Sequence, residues 1–154
     1  MQNVSRVLTV YIALIFVFQI QSAKAQDYTL SSKPDPRLTE AFGKDQVQFL
    51  EQNNPDLIQY YNFYLDNAFT LVQHQPEKIA GIISSCTLLT LNNSELNLDK
   101  PDMSKGTKSI NILKYKYLLS YDKPSSYRID DSGIVIVFFP AKVITENYNK
   151  AKNQ

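Results

Sequence analysis

Between residues 35 and 72 apolar side chains recur at steps of three and four, the period that gives a helix one buried stripe. Leu38, Ala41 and Phe42 carry the first stretch, and Val47, Phe49 and Leu50 the second. Leu57, Ile58, Tyr61, Tyr64, Leu65, Ala68, Leu71 and Val72 carry the third and strongest. The first and third open on Asp35-Pro36 and Asn54-Pro55. There a short polar side chain can accept from the free amides of a first turn, and a proline at the first helical position has no amide to waste. Gly43 suits the end of the first helix. The pattern predicts three helices, the third running to Val72 and ended or redirected by Pro76.

Beyond Pro76 the period shortens. Residues 77–83 fit either a helical turn or the start of an apolar strand, and 86–91 read as strand. Residues 92–106 carry turn chemistry throughout, with Asn92-Asn93-Ser94, Asp99-Lys100-Pro101-Asp102 and Ser104-Lys105-Gly106. Residues 110–120 read as a strand whose apolar phase switches: Ile110 and Ile112 share one face, and Leu113, Tyr115 and Tyr117 the other, opposite Lys114 and Lys116. Parity fixes the face of a strand residue, so a one-residue bulge is expected between 112 and 113. Tyr127-Arg128-Ile129 predicts a short strand and Asp130-Asp131-Ser132-Gly133 a hairpin turn. Residues 134–139 predict a strand apolar on both faces, at the centre of the sheet. Pro140 opens a last helix to about Lys150, with Val143, Ile144 and Tyr148 on one side. The fold class that follows is α+β: N-terminal helices, a three- or four-stranded mostly antiparallel meander, and a C-terminal helix, with helices covering one face of the sheet.

The first 25 residues have a different grammar. Arg6 and the α-amino group precede an apolar run from 7 to 20, and Ser22-Ala23-Lys24-Ala25-Gln26 follows. A positive start, a short apolar core and a small-x-small end are the parts of a secretory signal peptide. The run is short for a spanning helix, which needs roughly 20 apolar residues. Cleavage is expected between Ala25 and Gln26, leaving a polar, flexible lead-in over 26–34, a single domain over 35–154 and no membrane span. The Ala23-Lys24-Ala25-Gln26 junction and the body rich in Asn, Lys, Tyr and Ile resemble small exported proteins of Bacteroidota-type bacteria. That resemblance implies a periplasmic or extracellular location and carries over no catalytic residue.

Charge and composition narrow the chemistry. Of the 16 basic and 15 acidic residues of the chain, Arg6 and Lys24 would leave with the signal peptide, so the remainder is close to neutral. Nucleic acid is not indicated, since its binders usually carry a basic surplus or stripe. The acids cluster before Lys78 and the bases after it, an asymmetry that suits either packing of the two halves or opposed faces for different partners. Cys86 is the only cysteine, which excludes an internal disulfide. It reads as a small buried hydrophobe, with intermolecular pairing as the alternative. His74, the only histidine, lies in Gln73-His74-Gln75-Pro76 and reads as a helix-end residue rather than a catalytic base. No Gly-x-Ser-x-Gly elbow, phosphate-cradling glycine loop or cysteine–histidine metal spacing is present. No catalytic, cofactor-binding or metal-ligating residue is therefore assigned, and no cofactor is expected.

Tyrosine is what remains conspicuous. Tyr60, Tyr61, Phe63 and Tyr64 surround one helix with rings, more than a single core can take, and tyrosine suits a protein boundary because one end is apolar and the other stays wet. Core packing accounts for the same residues. With the rings as a candidate interface, the sequence suggests a small exported non-enzymatic interaction protein, an accessory subunit of a cell-envelope assembly with an envelope protein as partner. The alternative is a periplasmic hydrolase or ligand-binding domain built on scattered carboxylates and tyrosines.

Overall fold

The computed structural model describes Tyr28 and residues 30–154. The signal peptide and its expected junction at Ala25 and Gln26 lie outside the described residues. Three helices open the fold: α1 (Pro36–Phe42), α2 (Lys44–Asn53) and α3 (Pro55–Asn67). Both cap-and-proline starts are present. The Asp35 carboxylate accepts from the Arg37 amide at 2.8 Å, and the Asn54 side chain from the Leu57 amide at 3.3 Å. Gly43 separates α1 from α2 with φ 84°, the left-handed side that a β-carbon disfavours.

The third helix stops five residues earlier than its period suggests. Ala68 caps α3, and Phe69–Gln73 is a strand, β1, whose alternating burial fits a two-residue repeat. Phe-Thr-Leu-Val is β-branched and aromatic, and pairing with the C-terminal strand wins over the helical spacing of Leu71 and Val72. His74 therefore follows a strand rather than a helix, and its amide donates to the Gly133 carbonyl at 3.0 Å, extending that pairing. Burial, then the nearby Lys78 charge, hold its imidazole below the ordinary pKa.

A 3-10 turn (Pro76–Lys78) leads into α4 (Ile79–Ser85), which settles the ambiguous stretch as helix. The predicted strand over 86–91 divides in two: β2 (Thr87–Leu88) and β3 (Thr90–Leu91) belong to different sheets. The phase switch at 112–113 is a 3-10 turn, Ile112–Lys114, not a bulge. The turn rotates Lys114 inward, so that Ile110, Asn111, Ile112, Lys114 and Tyr115 are all buried. A strand of two residues remains, β4 (Tyr115–Lys116), antiparallel to β3. The expected outward face of Lys114 and Lys116 is thus half right: Lys116 is exposed, but Lys114 is in the interior.

β5 (Ser125–Arg128) and β6 (Ile134–Phe138) form the predicted hairpin. Its turn is held by the Asp130 carboxylate accepting from the Ser132 amide, and by Gly133 at φ 80°. The main sheet has the order β1-β6-β5-β2. β6 lies at its centre, antiparallel to both neighbours, while β2 runs parallel to β5. The C-terminal helix α5 (Ala141–Lys152) completes an α+β fold. Phe69, Leu71, Ile136 and Phe138 on one face of the sheet join Leu38, Ile58, Leu65 and Ile144 from the helices in one core.

The part of the lead-in that is described is fastened down. Asn62 on α3 accepts from the Asp35 amide at 3.0 Å and donates to the Ser31 and Lys33 carbonyls at 2.7 and 2.8 Å. The Tyr28 ring meets Phe63 edge-on at 5.2 Å. The side chain that replaces a flexible arm with a strap is thus one asparagine. Asn62→Ala is expected to cost about 1–2 kcal/mol, the net worth of its hydrogen bonds. It should also free residues 30–34 to exchange amide protons at the rate of an open chain, as hydrogen-exchange mass spectrometry would show.

Candidate functional site

The ring cluster of α3 points inward. Phe63 and Tyr64 are buried, and Tyr60 and Tyr61 are half-buried. Tyr60 meets Tyr148 of α5 edge-on at 5.1 Å, Phe63 meets the same ring at 5.5 Å, and Tyr61 meets Phe42 of α1 at 5.2 Å. The rings that seemed too many for one core are shared among α1, α5 and the lead-in, so they join helices. Burial raises the hydroxyl pKa values of Tyr64 and Tyr117, that of Tyr117 to about 12. No flat exposed patch is formed by Tyr60, Tyr61, Phe63 and Tyr64.

The structure instead assembles two features that the sequence leaves scattered. The first is a buried ion cluster. Lys114, 1 % exposed, gives its three ammonium protons three acceptors: Asp99 Oδ1 at 2.6 Å, Glu40 Oε1 at 2.7 Å and the Asn97 carbonyl at 2.8 Å. Asn111 braces the same carboxylates. Its amide donates to Asp99 Oδ2 at 2.9 Å, and its Nδ2 to Glu40 Oε2 at 3.0 Å and the Arg37 carbonyl at 2.7 Å. Burial opposes the charge on Lys114, but the hydrogen bonds and charges of Asp99 and Glu40 outweigh it and leave the ammonium pKa raised. Glu40 is the counterpart. Burial pushes its pKa up, the hydrogen bonds from Lys114 and Asn111 pull harder, and the net value is lowered. Neither group is poised to exchange a proton near neutrality: the cluster ties the 92–111 loop to α1. Among the described residues no group of three or more His, Cys, Asp and Glu could hold a metal ion.

The second feature is an apolar edge. α4 reads Ile-Ala-Gly-Ile-Ile-Ser-Ser, and none of its residues is buried. Ile83 is 37 % exposed and Leu88 on β2 is 44 % exposed. β2 ends the sheet, and no strand lies beyond it among the described residues. The edge is held from within. Arg128 donates to the Cys86 carbonyl at 3.2 Å, the Leu89 amide donates to the Arg128 carbonyl at 2.8 Å, and the Ile79 side chain packs over Gly133. Cys86 between α4 and β2 is free and half-buried, wetter than its apolar neighbours suggest. A short unpaired edge beside exposed isoleucine and leucine is the arrangement to which another chain can add.

No family model matches the chain, and neither a curated protein nor a solved structure matches it. Among the described residues no helix is long and apolar enough to cross a membrane.

Proposed function

We propose that this is a small exported interaction protein, an accessory subunit that binds another protein of the cell envelope through the α4–β2 edge. The observation that carries the reading is α4 itself. An apolar helix with no buried residue, set against the open end of a sheet, leaves surface that folding does not use. The three-part N-terminus supports export. Glu40 and Asp99, two carboxylates that the fold brings together, are both engaged by Lys114, which favours binding over general acid–base chemistry.

The test is a cross-linked pull-down of the tagged protein from the envelope fraction, beside the variants Ile83→Asp and Leu88→Asp. Both side chains are exposed, so the variants should fold. A stoichiometric envelope protein that wild type retains and both variants lose is the expected result, with a drop of tenfold or more in recovery. A partner retained equally by all three would remove the α4–β2 edge from the proposal, and no partner above background would remove the interaction function.

A further inference from the structure

The two most exposed large apolar side chains among the described residues lie elsewhere. Leu118 is 83 % exposed and Tyr121 65 % exposed, both in the 117–124 loop between β4 and β5. Such exposure in a slack loop would mean little, but this loop is fastened on both sides of each residue. The Tyr127 hydroxyl accepts from the Leu118 amide at 3.0 Å and donates to the Leu118 carbonyl at 2.8 Å. The Ser120 and Tyr121 carbonyls take the first two amides of α5, those of Ala141 and Lys142, at 3.0 and 3.2 Å. The Ser120 amide donates to Ser125 Oγ and the Lys123 amide to Ser120 Oγ, each at 3.3 Å. Tyr127 is braced in turn by Phe138 and Tyr117 of the core. The backbone is thus ordered before anything binds, which lowers the entropic cost of using the two side chains as anchors.

Three lysines surround the loop. Lys116 precedes it, Lys123 lies within it, and Lys142 is at the start of α5 beside Tyr121. All three are exposed, and none is in an ion pair with a described residue. Asp122 is the one acid between Tyr115 and Ile129, and Glu146 stands a turn further along α5. The balance at the loop is positive although the chain from residue 26 onward is nearly neutral. A leucine this exposed projects instead of lining a groove. A projecting leucine and tyrosine ringed by free lysines match an anionic lipid surface, where the leucine enters the acyl boundary, tyrosine sits among the headgroups and lysines meet phosphates.

We infer that the 117–124 loop is a peripheral contact for an anionic bilayer, made by Leu118 and Tyr121 with Lys116, Lys123 and Lys142. The contact uses side chains other than Ile83 and Leu88 and requires no protein partner, so the two proposals fail separately.

The experiment is co-flotation of the exported protein with vesicles of phosphatidylcholine alone and with 30 % phosphatidylglycerol, at about 50 and 500 mM salt, the range over which surface charge is progressively screened. The protein is compared with Leu118→Asp and with the pair Lys123→Glu and Lys142→Glu. Wild type and variants share the same N-terminus, so differences between them report the loop. The expected result is an anionic-over-neutral partition ratio at least tenfold higher for wild type than for either variant, collapsing at high salt. Equal partition of wild type and Leu118→Asp would overturn the contact, as would equal binding to neutral and anionic vesicles. So would vesicle indifference combined with loss of a protein partner in Leu118→Asp, which would assign the loop to a protein instead.

Discussion

Lys114→Met is expected to destabilise the protein by about 3–5 kcal/mol, the usual cost of leaving a buried charge without its partner. For a domain of this size that is a fall in Tm on the order of 10 °C. Methionine fills the same space, so packing is kept and the loss isolates the charge. Asp99, only 14 % exposed, would keep the Asn111 amide and lose its cation. Glu40→Gln should cost far less, about 1 kcal/mol or below, because Glu40 is 48 % exposed and water can replace Lys114. The triple variant Lys114→Met, Glu40→Gln, Asp99→Asn leaves no charge behind and should recover part of the loss. If the triple variant is no more stable than Lys114→Met alone, unpaired charge is not the cause.

The same cluster sets a pH dependence. The folded pKa of Glu40 is lowered from 4.5, so its contribution is fully present above pH 4.5 and is lost as pH falls through the folded value. That of Lys114 is raised from 10.5, so its contribution is present below pH 10.5 and is lost as pH rises through the folded value. In Lys114→Met the Glu40 carboxylate is no longer held down by the ammonium, and protonation relieves it. The gap between wild type and variant should therefore be widest near neutrality and narrow below about pH 4.5, the ordinary range of a glutamate. Denaturant titrations at three pH values would show it.

Phe138→Ala should be comparably severe, at about 3–5 kcal/mol. Phe138 is fully buried on the central strand. It stacks on Tyr117 at 4.4 Å and 21°, meets Tyr127 edge-on at 5.9 Å and tilts against Phe69 of β1 at 5.7 Å. Its loss would open a cavity under three elements at once. Phe138→Leu should cost about 1–2 kcal/mol, since much of the volume is kept. A fall in the urea midpoint with an unchanged slope is the outcome expected of a lost core contact. A changed slope would mean that Phe138 holds the compactness of the fold as well.

What the sequence made legible was local. Asp35-Pro36, Asn54-Pro55, Gly43 and the Asp130–Gly133 turn each carry their chemistry within four residues, and each forms as read. The central place of residues 134–138 also followed from their own composition. The misreadings share one cause, a decision made by residues far along the chain. Phe69–Gln73 kept a helical spacing, yet β6 recruited it as a strand. Lys114 sat at an outward parity until a 3-10 turn carried it in to meet Glu40 and Asp99. The phase switch between Ile112 and Leu113 was the visible trace of that turn, but a bulge explained it equally well. The rings of Tyr60 to Tyr64 could not be assigned to core or surface without knowing that Tyr148 and Phe42 lie against them. The α4–β2 edge left no trace, because short apolar runs look alike whether covered or open.

The position of β6 has a consequence for how the molecule comes into being. The strand at the centre of the sheet is the last strand of the described chain, and β1, its neighbour, was synthesised long before it. Until Ile134–Phe138 leaves the ribosome, β1 and β5 have nothing between them, and neither can complete its pairing. Closing so long a loop is slow relative to forming α1, α2 and α3. Folding is therefore expected to wait for β6. A truncation that ends before Ile134 should yield loosely associated helices that a protease digests readily, while the chain that includes β6 and α5 resists it.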